Sequence, residues 1–203
     1  MSSTVSTPIS AAPDLHNPNL YDLPRTRVGR AFLAVGATVF VAMCAHVSVP
    51  LYFTPVPFTL QTLAVLLIGL AFGPALGAST LLLYLAEGAA GLPVFSPHGL
   101  GGIAQLFGPT GGYLLSYPLA AAAAGAVVRA ARGCLADLAA AVLAGIAGSF
   151  FVFSIGAGWA AHLLHLSPAT AWRMAVLPFL PGEAIKIAIV AATYTTLHRW
   201  RRS

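Results

Sequence analysis

The chain has 203 residues, of which 58% are hydrophobic and only 7% are charged, and its mean hydropathy is +0.85. This composition excludes an ordinary soluble domain, in which about a quarter of the residues are charged, and it indicates an integral membrane protein. The net charge of +5 is therefore interpreted as a signal of membrane topology, with no nucleic-acid role.

The chain is predicted to begin with a disordered tail, residues 1–24, which is rich in Ser, Thr, Pro and Asn and lacks the apolar core of a signal peptide. Residues 25–203 then form one transmembrane domain. Pro/Gly-rich or charged breaks separate six apolar stretches, at residues 31–47, 58–72, 75–90, 113–128, 135–163 and 185–197. We therefore predict an all-α membrane protein with six transmembrane helices.

The second and third stretches are shorter than the about 20 residues that cross a bilayer. Gly73 and Pro74 between them are either the turn between two short buried helices, which we favour, or the tip of a re-entrant hairpin.

The basic residues predict the orientation, because cytoplasmic loops carry an excess of Lys and Arg. Six spans place both termini on one side, together with eight of the ten cationic residues: Arg25, Arg27, Arg30, Arg129, Arg132, Arg199, Arg201 and Arg202. Both termini are therefore expected in the cytoplasm, and the loops at 49–57, 91–109 and 165–178 outside. Cys44 and Cys134 then lie at different depths, so no disulfide is expected.

Three ionisable residues are candidates for a place at bilayer depth: Glu87, Glu183 and Lys186, the last being the only lysine. A charge at bilayer depth costs about 2.5 to 3.5 kcal/mol, which makes such residues candidates for a functional site. A helix that starts near Pro181 puts Glu183 and Lys186 on one face, with Lys186 about 7 Å below the outer end. Either the two charges neutralise each other and only fix the start of the helix in the bundle, or they bind an anionic ligand that enters from outside. Glu87 either lines the same pocket or faces water.

Three segments carry a resemblance to a known family. The stretch TPVPFTLQTLAVLLIGLAFGPALGASTLLLYLAEGAAGLPVFS, then GGIAQLFGPTGGYLLSYPLAA, and later LPFLPGEAIK, occur in order over residues 50–192. They closely resemble the BioY family, the biotin-binding S components of energy-coupling-factor (ECF) transporters.

The resemblance implies a six-helix S-component bundle in the cell membrane, with biotin bound near its outer side. Loops 49–58 and 91–109 would cover the ligand, with Pro55, Pro57, Gly101 and Gly102 as lid residues. The family usually has Asp where this chain has Glu183.

Biotin has a carboxylate, a ureido group with donors and an acceptor, and an apolar ring, so its site needs a cation, polar partners and aromatic walls. Lys186 would take the negative charge or the ureido oxygen, and Glu183 would accept from a ureido N–H. Further candidates are aromatic or polar: Phe58, Tyr84, Tyr113, Gln61 and Gln105. For the two glutamines, a helix-packing hydrogen bond is an equally good interpretation.

Small residues follow one face of the first helix at Ala34, Thr38 and Ala42. They either pack inside the bundle or, as the resemblance implies, contact a transmembrane coupling subunit. The glycine-rich run at 108–112 lacks the lysine of a phosphate-binding loop, so any ATP hydrolysis is expected on other subunits. The resemblance implies two ATPase subunits as these partners. Thr110 is expected to cap the fourth span.

Other constellations are weak. His162 and His165 have no third metal ligand near them in sequence, and no cofactor or metal is expected. No motif activates a nucleophile. The alternatives left open are an intramembrane enzyme that acts on a lipid or carboxylated substrate, with Glu183 as base, and an S component for a different vitamin.

Overall fold

The computed structural model describes residues 26–200; the predicted tail 1–24 and Arg25, Arg201 and Arg202 lie outside the described residues. The described part is mostly helical. It contains α1 (Arg27–His46), α2 (Gln61–Ala89), α3 (Gly102–Phe107), α4 (Gly111–Ala130), α5 (Asp137–Leu163), α6 (Pro168–Ala175) and α7 (Leu180–Trp200). Two short strands, β1 (Ser48–Val49) and β2 (Phe58–Thr59), pair antiparallel, and a 3₁₀ turn (Leu177–Phe179) precedes α7.

The segment α2 consists of two helical arms, residues 61–72 and 74–89, which fold back on each other as a hairpin with its tip at Gly73. Gly73 has φ 77° and ψ 179°, outside the helical range and in a region that favours glycine, and Pro74 follows it. In a straight helix Gln61 and Tyr84 would be about 34 Å apart, whereas Gln61 Nε2 donates to Tyr84 Oη at 2.7 Å. The two arms are therefore antiparallel. Both interpretations of Gly73-Pro74, a turn between two short buried helices and the tip of a re-entrant hairpin, predict such a reversal, and the choice between them stays a prediction.

Helix ends follow local capping rules in two places and depart from them in a third. The side-chain oxygens of Thr26 and Ser167 accept from the backbone N–H groups of Gly29 and Thr170 and so cap α1 and α6. The expectation that Thr110 caps α4 is wrong: it makes no side-chain capping bond, and its φ of −87° and ψ of −6° are not the extended conformation that a cap requires.

The helix α4 lies at the centre of the bundle, between α2 and α5, and glycines permit its close approach to the hairpin. A Cβ on Gly125 would lie 2.7 Å from the backbone of Gly69, Gly73 and Pro74, and one on Gly69 would lie 2.6 Å from the carbonyl oxygen of Ala121. Any larger side chain would hold the backbones apart. The arms of α2 are thus packed directly against α4.

Basic residues gather at the hairpin-tip end of the bundle. The Arg129 guanidinium lies against Gly73, Arg132 Nη2 donates to Tyr194 Oη at 3.4 Å, and His198 Nδ1 lies 2.9 Å from Asp137 Oδ2. The start of α1 and the end of α7 lie at this same end, because the other end of α1 meets the start of α2 through the Leu60 N–H to Val47 carbonyl bond at 3.2 Å.

Five helical segments of the described chain are long and apolar enough to cross a membrane: α1, α2, α4, α5 and the segment Pro168–Trp200. Their outer faces expose large apolar side chains, among them Phe32 (76%) and Phe150 (65%). The six-span count requires each short arm of α2 to cross, and both that count and the orientation of the termini stay predictions. Cys44 is buried, Cys134 is exposed, and both are free thiols.

Candidate functional site

A polar cavity lies at the end of the bundle opposite the basic end, between the first arm of α2, α4, α5 and α7. Its volume is about 50 Å³, room for a few waters. The loops 49–58 and 91–109 contribute to its walls. Its polar lining residues are Thr59, Gln61, Thr62, Ser96, Gln105, Thr110, Tyr113, Tyr117, Glu183 and Lys186.

Glu183 and Lys186 form the charged centre of this cavity, and both residues are buried, 3% and 5% exposed. Lys186 Nζ donates to Glu183 Oε2 at 3.2 Å and to Thr62 Oγ1 at 2.7 Å. The Thr62 hydroxyl in turn donates to Glu183 Oε2 at 2.9 Å, and Ser149 Oγ donates to Glu183 Oε1 at 2.7 Å. Both carboxylate oxygens are thus hydrogen-bonded, which is the condition under which a buried pair is tolerated.

An aromatic ring covers the ammonium group. Lys186 Nζ lies 4.6 Å from the centroid of the Phe58 ring, a cation–π distance, and Phe58 stacks on Phe179 with 6.3 Å between centroids. A Cβ on Gly182 would lie 2.3 Å from the Phe58 ring, so only glycine there leaves room for this stacking. The Pro-Gly start of α7 therefore positions the aromatic cover of the ion pair.

Gln61 is held by three hydroxyl groups behind the charged pair. Its Nε2 donates to Tyr84 Oη at 2.7 Å, and its Oε1 accepts from Tyr117 Oη and Thr59 Oγ1, both at 3.3 Å. Tyr84 Oη donates onward to the Val94 carbonyl at 2.8 Å. Gln61 lines the cavity, whereas Tyr84 is fully buried behind it, so Tyr84 acts on the cavity through Gln61.

Gln105 and Tyr113 also line the cavity, and each is tied to a loop or neighbouring helix. Gln105 Oε1 accepts from the backbone N–H of Gly101 at 3.1 Å, and Tyr113 Oη donates to the Ala175 carbonyl at 2.6 Å. Each therefore couples the cavity to the segment that covers it or to α6.

The predicted lid residues differ in position. Pro57 lines the cavity, whereas Pro55 is exposed. Gly101 and Gly102 have φ values of 69° and 56° and form the bend that starts α3. Trp159 Nε1 donates to the Gly108 carbonyl at 2.9 Å and so fastens the far end of this loop to α5.

Glu87 is not brought to the cavity and does not simply face water. It is half-buried in a separate groove beside α1, where Oε1 accepts from Thr38 Oγ1 at 3.1 Å. The reason is that α1 packs against the second arm of α2 and presents a hydroxyl there. This corrects the expectation that Glu87 lines the pocket.

The small-residue stripe of α1 is largely internal. Thr38 is 1% exposed and Ala34 is 9% exposed, while Ala42 is half-buried in the groove of Glu87. In this structure the stripe packs within the chain. Its contact with a coupling subunit stays a prediction.

The sequence interpretation missed four hydroxyl residues of the site. Thr62 and Ser149 bond the ion pair, and Tyr117 bonds Gln61. Ser96 Oγ lines the cavity, is buried, and has no hydrogen-bond partner among the described residues. Hydroxyl residues are frequent in helices for packing reasons, so only their position around Glu183 and Gln61 singles these out.

The arrangement suits recognition of a small polar solute. It offers one cation, one carboxylate, amide groups and aromatic walls within one buried volume. No cluster of three His, Cys, Asp or Glu side chains that could hold a metal occurs within residues 26–200, and His162 and His165 are exposed.

The chain has clear relatives. The sequence profile described as "BioY family" matches residues 17–203. A protein of Pyrococcus horikoshii named "Probable biotin transporter BioY" is 37% identical over 153 residues, which are 74% of this chain and 86% of that protein. The "Biotin transporter BioY" of Rhodobacter capsulatus is 33% identical over 175 residues, 82% of this chain and 91% of that protein. Both names describe transporters.

A solved structure shares the fold. It is titled the S-component for biotin from an ECF-type ABC transporter, and it superposes with a TM-score of 0.76 over 85% of this chain and 92% of that chain. Its sequence is 24% identical, so this likeness concerns the architecture.

Proposed function

This chain belongs to the BioY family, and from that premise we propose that it captures biotin as the membrane substrate-binding component of an ECF-type transporter. The observation that carries the proposal is the buried network of Glu183, Lys186, Thr62 and Ser149 in a polar cavity. A transporter component is also what the names of the two relatives describe, in contrast to an intramembrane enzyme.

The proposed roles follow from the chemistry of each group. Lys186 supplies the cation for the carboxylate or the ureido oxygen of biotin, and Glu183 accepts from a ureido N–H. Gln61, Gln105 and the unpartnered hydroxyl of Ser96 supply further hydrogen bonds. The rings of Phe58 and Tyr113 form apolar walls, as their places beside Lys186 and in the cavity lining allow.

The cavity must widen to admit the ligand. Its volume of about 50 Å³ is well below the about 300 Å³ at which small-molecule sites begin. The loops 49–58 and 91–109 are the segments that can supply this space, because the walls on the other sides are membrane-length helices. We propose that these loops open for entry and close over bound biotin, with Pro57, Gly101 and Gly102 at the moving edges.

The proposed topology has six spans, with both arms of α2 crossing and both termini in the cytoplasm. Five arginines support this orientation because they all lie at the end of the bundle opposite the cavity: Arg27, Arg30, Arg129, Arg132 and Arg199. Positive residues concentrate on the cytoplasmic side of membrane proteins, so this end is the proposed cytoplasmic end. The cavity then faces the outside of the cell membrane.

Transport requires partners of a defined kind. We propose a transmembrane coupling subunit and two ATPase subunits, which the likeness to an S-component of an ECF-type transporter supports. The chain's own glycine-rich run lacks the lysine of a phosphate-binding loop, which agrees with ATP hydrolysis on other subunits. The surface of α1 around Ala42, next to the buried Ala34 and Thr38, is the proposed contact for the coupling subunit. A small rotation of α1 would be needed to present the whole stripe.

Isothermal titration of the purified full-length chain with biotin tests the function. We expect saturable binding of one biotin, recovery of the ligand unchanged, and no competition by thiamine or riboflavin. Absence of binding, or chemical conversion of the biotin, would refute the proposal, and displacement by another vitamin would reassign the ligand.

A further inference from the structure

A second, larger cavity shares Glu183 with the polar cavity but opens on the side of the bundle. It is a groove of about 770 Å³ between α5 and α7, bordered by α6. Its walls are mainly apolar and include Phe153, Ala157, Gly158, Trp172, Leu180 and Ile187. Besides one exposed serine, its polar groups are Ser149 and Glu183, the two partners of the 2.7 Å hydrogen bond.

The groove has the length of a lipid tail. It follows α5 from Ile146 to Ala161, a span of 16 residues or about 22 Å of helix. One leaflet of bilayer hydrocarbon is about 15 Å deep, since the whole core is about 30 Å thick. The groove therefore extends over the full depth of one leaflet.

The rim at α6 has the chemistry of a lipid headgroup site. Trp172 lines the groove and is 53% exposed, a residue type that concentrates at membrane interfaces. Arg173 is exposed in the last turn of α6. In the half of the bundle that contains the polar cavity, Arg173 and the buried Lys186 are the only Lys and Arg residues within 26–200. A guanidinium at the interface matches the phosphate of a lipid.

We propose that one acyl chain of an anionic phospholipid occupies this groove, with its phosphate at Arg173. The chain forms the lateral wall of the site at Glu183, whose carboxylate is separated from the membrane by the groove alone. Lipid in the groove excludes water from the side of the ion pair that faces the membrane. The proposal is independent of biotin binding, because it concerns the outer surface of α5, α6 and α7.

Groove-filling variants test the acyl-chain site. Gly158 lies in the groove, and a Cβ built on it meets nothing within 4 Å. The phenylalanine side chain of Gly158→Phe should therefore fill the groove without disturbing the bundle. Gly36 on the exposed face of α1 also meets nothing within 4 Å, so Gly36→Phe is the matched control. Native mass spectrometry of the full chain in mild detergent should show one retained phospholipid in the wild type and the control, and none in Gly158→Phe.

A headgroup variant tests the phosphate contact. With phosphatidylglycerol and phosphatidylcholine of identical chains added back, Arg173→Gln should reduce the preference for phosphatidylglycerol about fivefold, the effect of one interfacial cation. Arg199→Gln, at the other end of the bundle, should leave the preference unchanged.

Three results would overturn the proposal. They are equal lipid retention by Gly158→Phe and the wild type, an unchanged headgroup preference in Arg173→Gln, and a dimer of the chain that Gly158→Phe abolishes. The last result would assign the groove to a second copy.

Discussion

Replacing Lys186 by methionine removes the cation of the polar cavity and leaves an unbranched apolar side chain of similar length in its place. The ammonium group makes two hydrogen bonds, to Thr62 at 2.7 Å and to Glu183 at 3.2 Å. Both partners are buried, so the variant leaves a buried carboxylate without its counter-ion. Breaking such a pair costs about 3 to 5 kcal/mol of folding stability, and loss of a buried charged contact to a ligand costs about 2 to 5 kcal/mol of binding.

Two measurements separate these effects. Thermal unfolding should show the loss of stability in Lys186→Met, and the double variant with Glu183→Gln should recover most of it, because no uncompensated charge remains. Isothermal titration should show biotin affinity reduced about 30-fold to several thousand-fold in both variants, since neither supplies a cation. A folded Lys186→Met protein with wild-type affinity for biotin would refute the assigned role.

Three further predictions concern the surroundings of this pair. In Glu183→Asp, biotin affinity should be retained or mildly altered, because the ammonium stays anchored at Thr62; complete loss in titration would contradict this. Ser149→Ala should lower the free energy of unfolding by about 1.5 to 3 kcal/mol, since it removes a buried hydrogen bond to the charged Glu183, whereas the exposed Ser154→Ala control should unfold like the wild type; equal stability of the two variants would contradict this. Gly125→Ala should lower the unfolding temperature by the equivalent of about 1 to 3 kcal/mol, because its Cβ would lie 2.7 Å from the hairpin backbone; an unfolding temperature equal to that of the wild type would show that the hairpin yields.

The helical architecture and the charged pair were predictable from the sequence for simple reasons. A lone lysine in an apolar segment is expensive unless it has a partner, and Glu183 three residues earlier is the partner that helix geometry brings to the same face. The structure shows this pair, at 3.2 Å, near the start of α7, which begins at Leu180, one residue before the predicted start. Gln61, Gln105 and Tyr113 also line the cavity that contains the pair.

Other predictions failed because sequence position does not determine which helix face meets which neighbour. Glu87 is in the expected helix, but the packing of α1 turns it towards Thr38 and away from the cavity. The serine and threonine that hold Glu183 lie 34 and 121 residues away in the chain, so no local pattern distinguishes them from packing residues.

The amino-acid sequence by itself determined the membrane character, the helical segments and the pairing of Glu183 with Lys186, because these depend on hydrophobicity and on contacts within one or two helical turns. Only the tertiary structure decided which residues surround that pair. The reversal of α2 at Gly73 brings Tyr84 to Gln61, and the close approach of α4 brings Tyr117 to the same side chain from a distant part of the chain. Such contacts depend on how closely the helix backbones approach each other. Small residues allow a close approach, but the sequence does not show which helix approaches which.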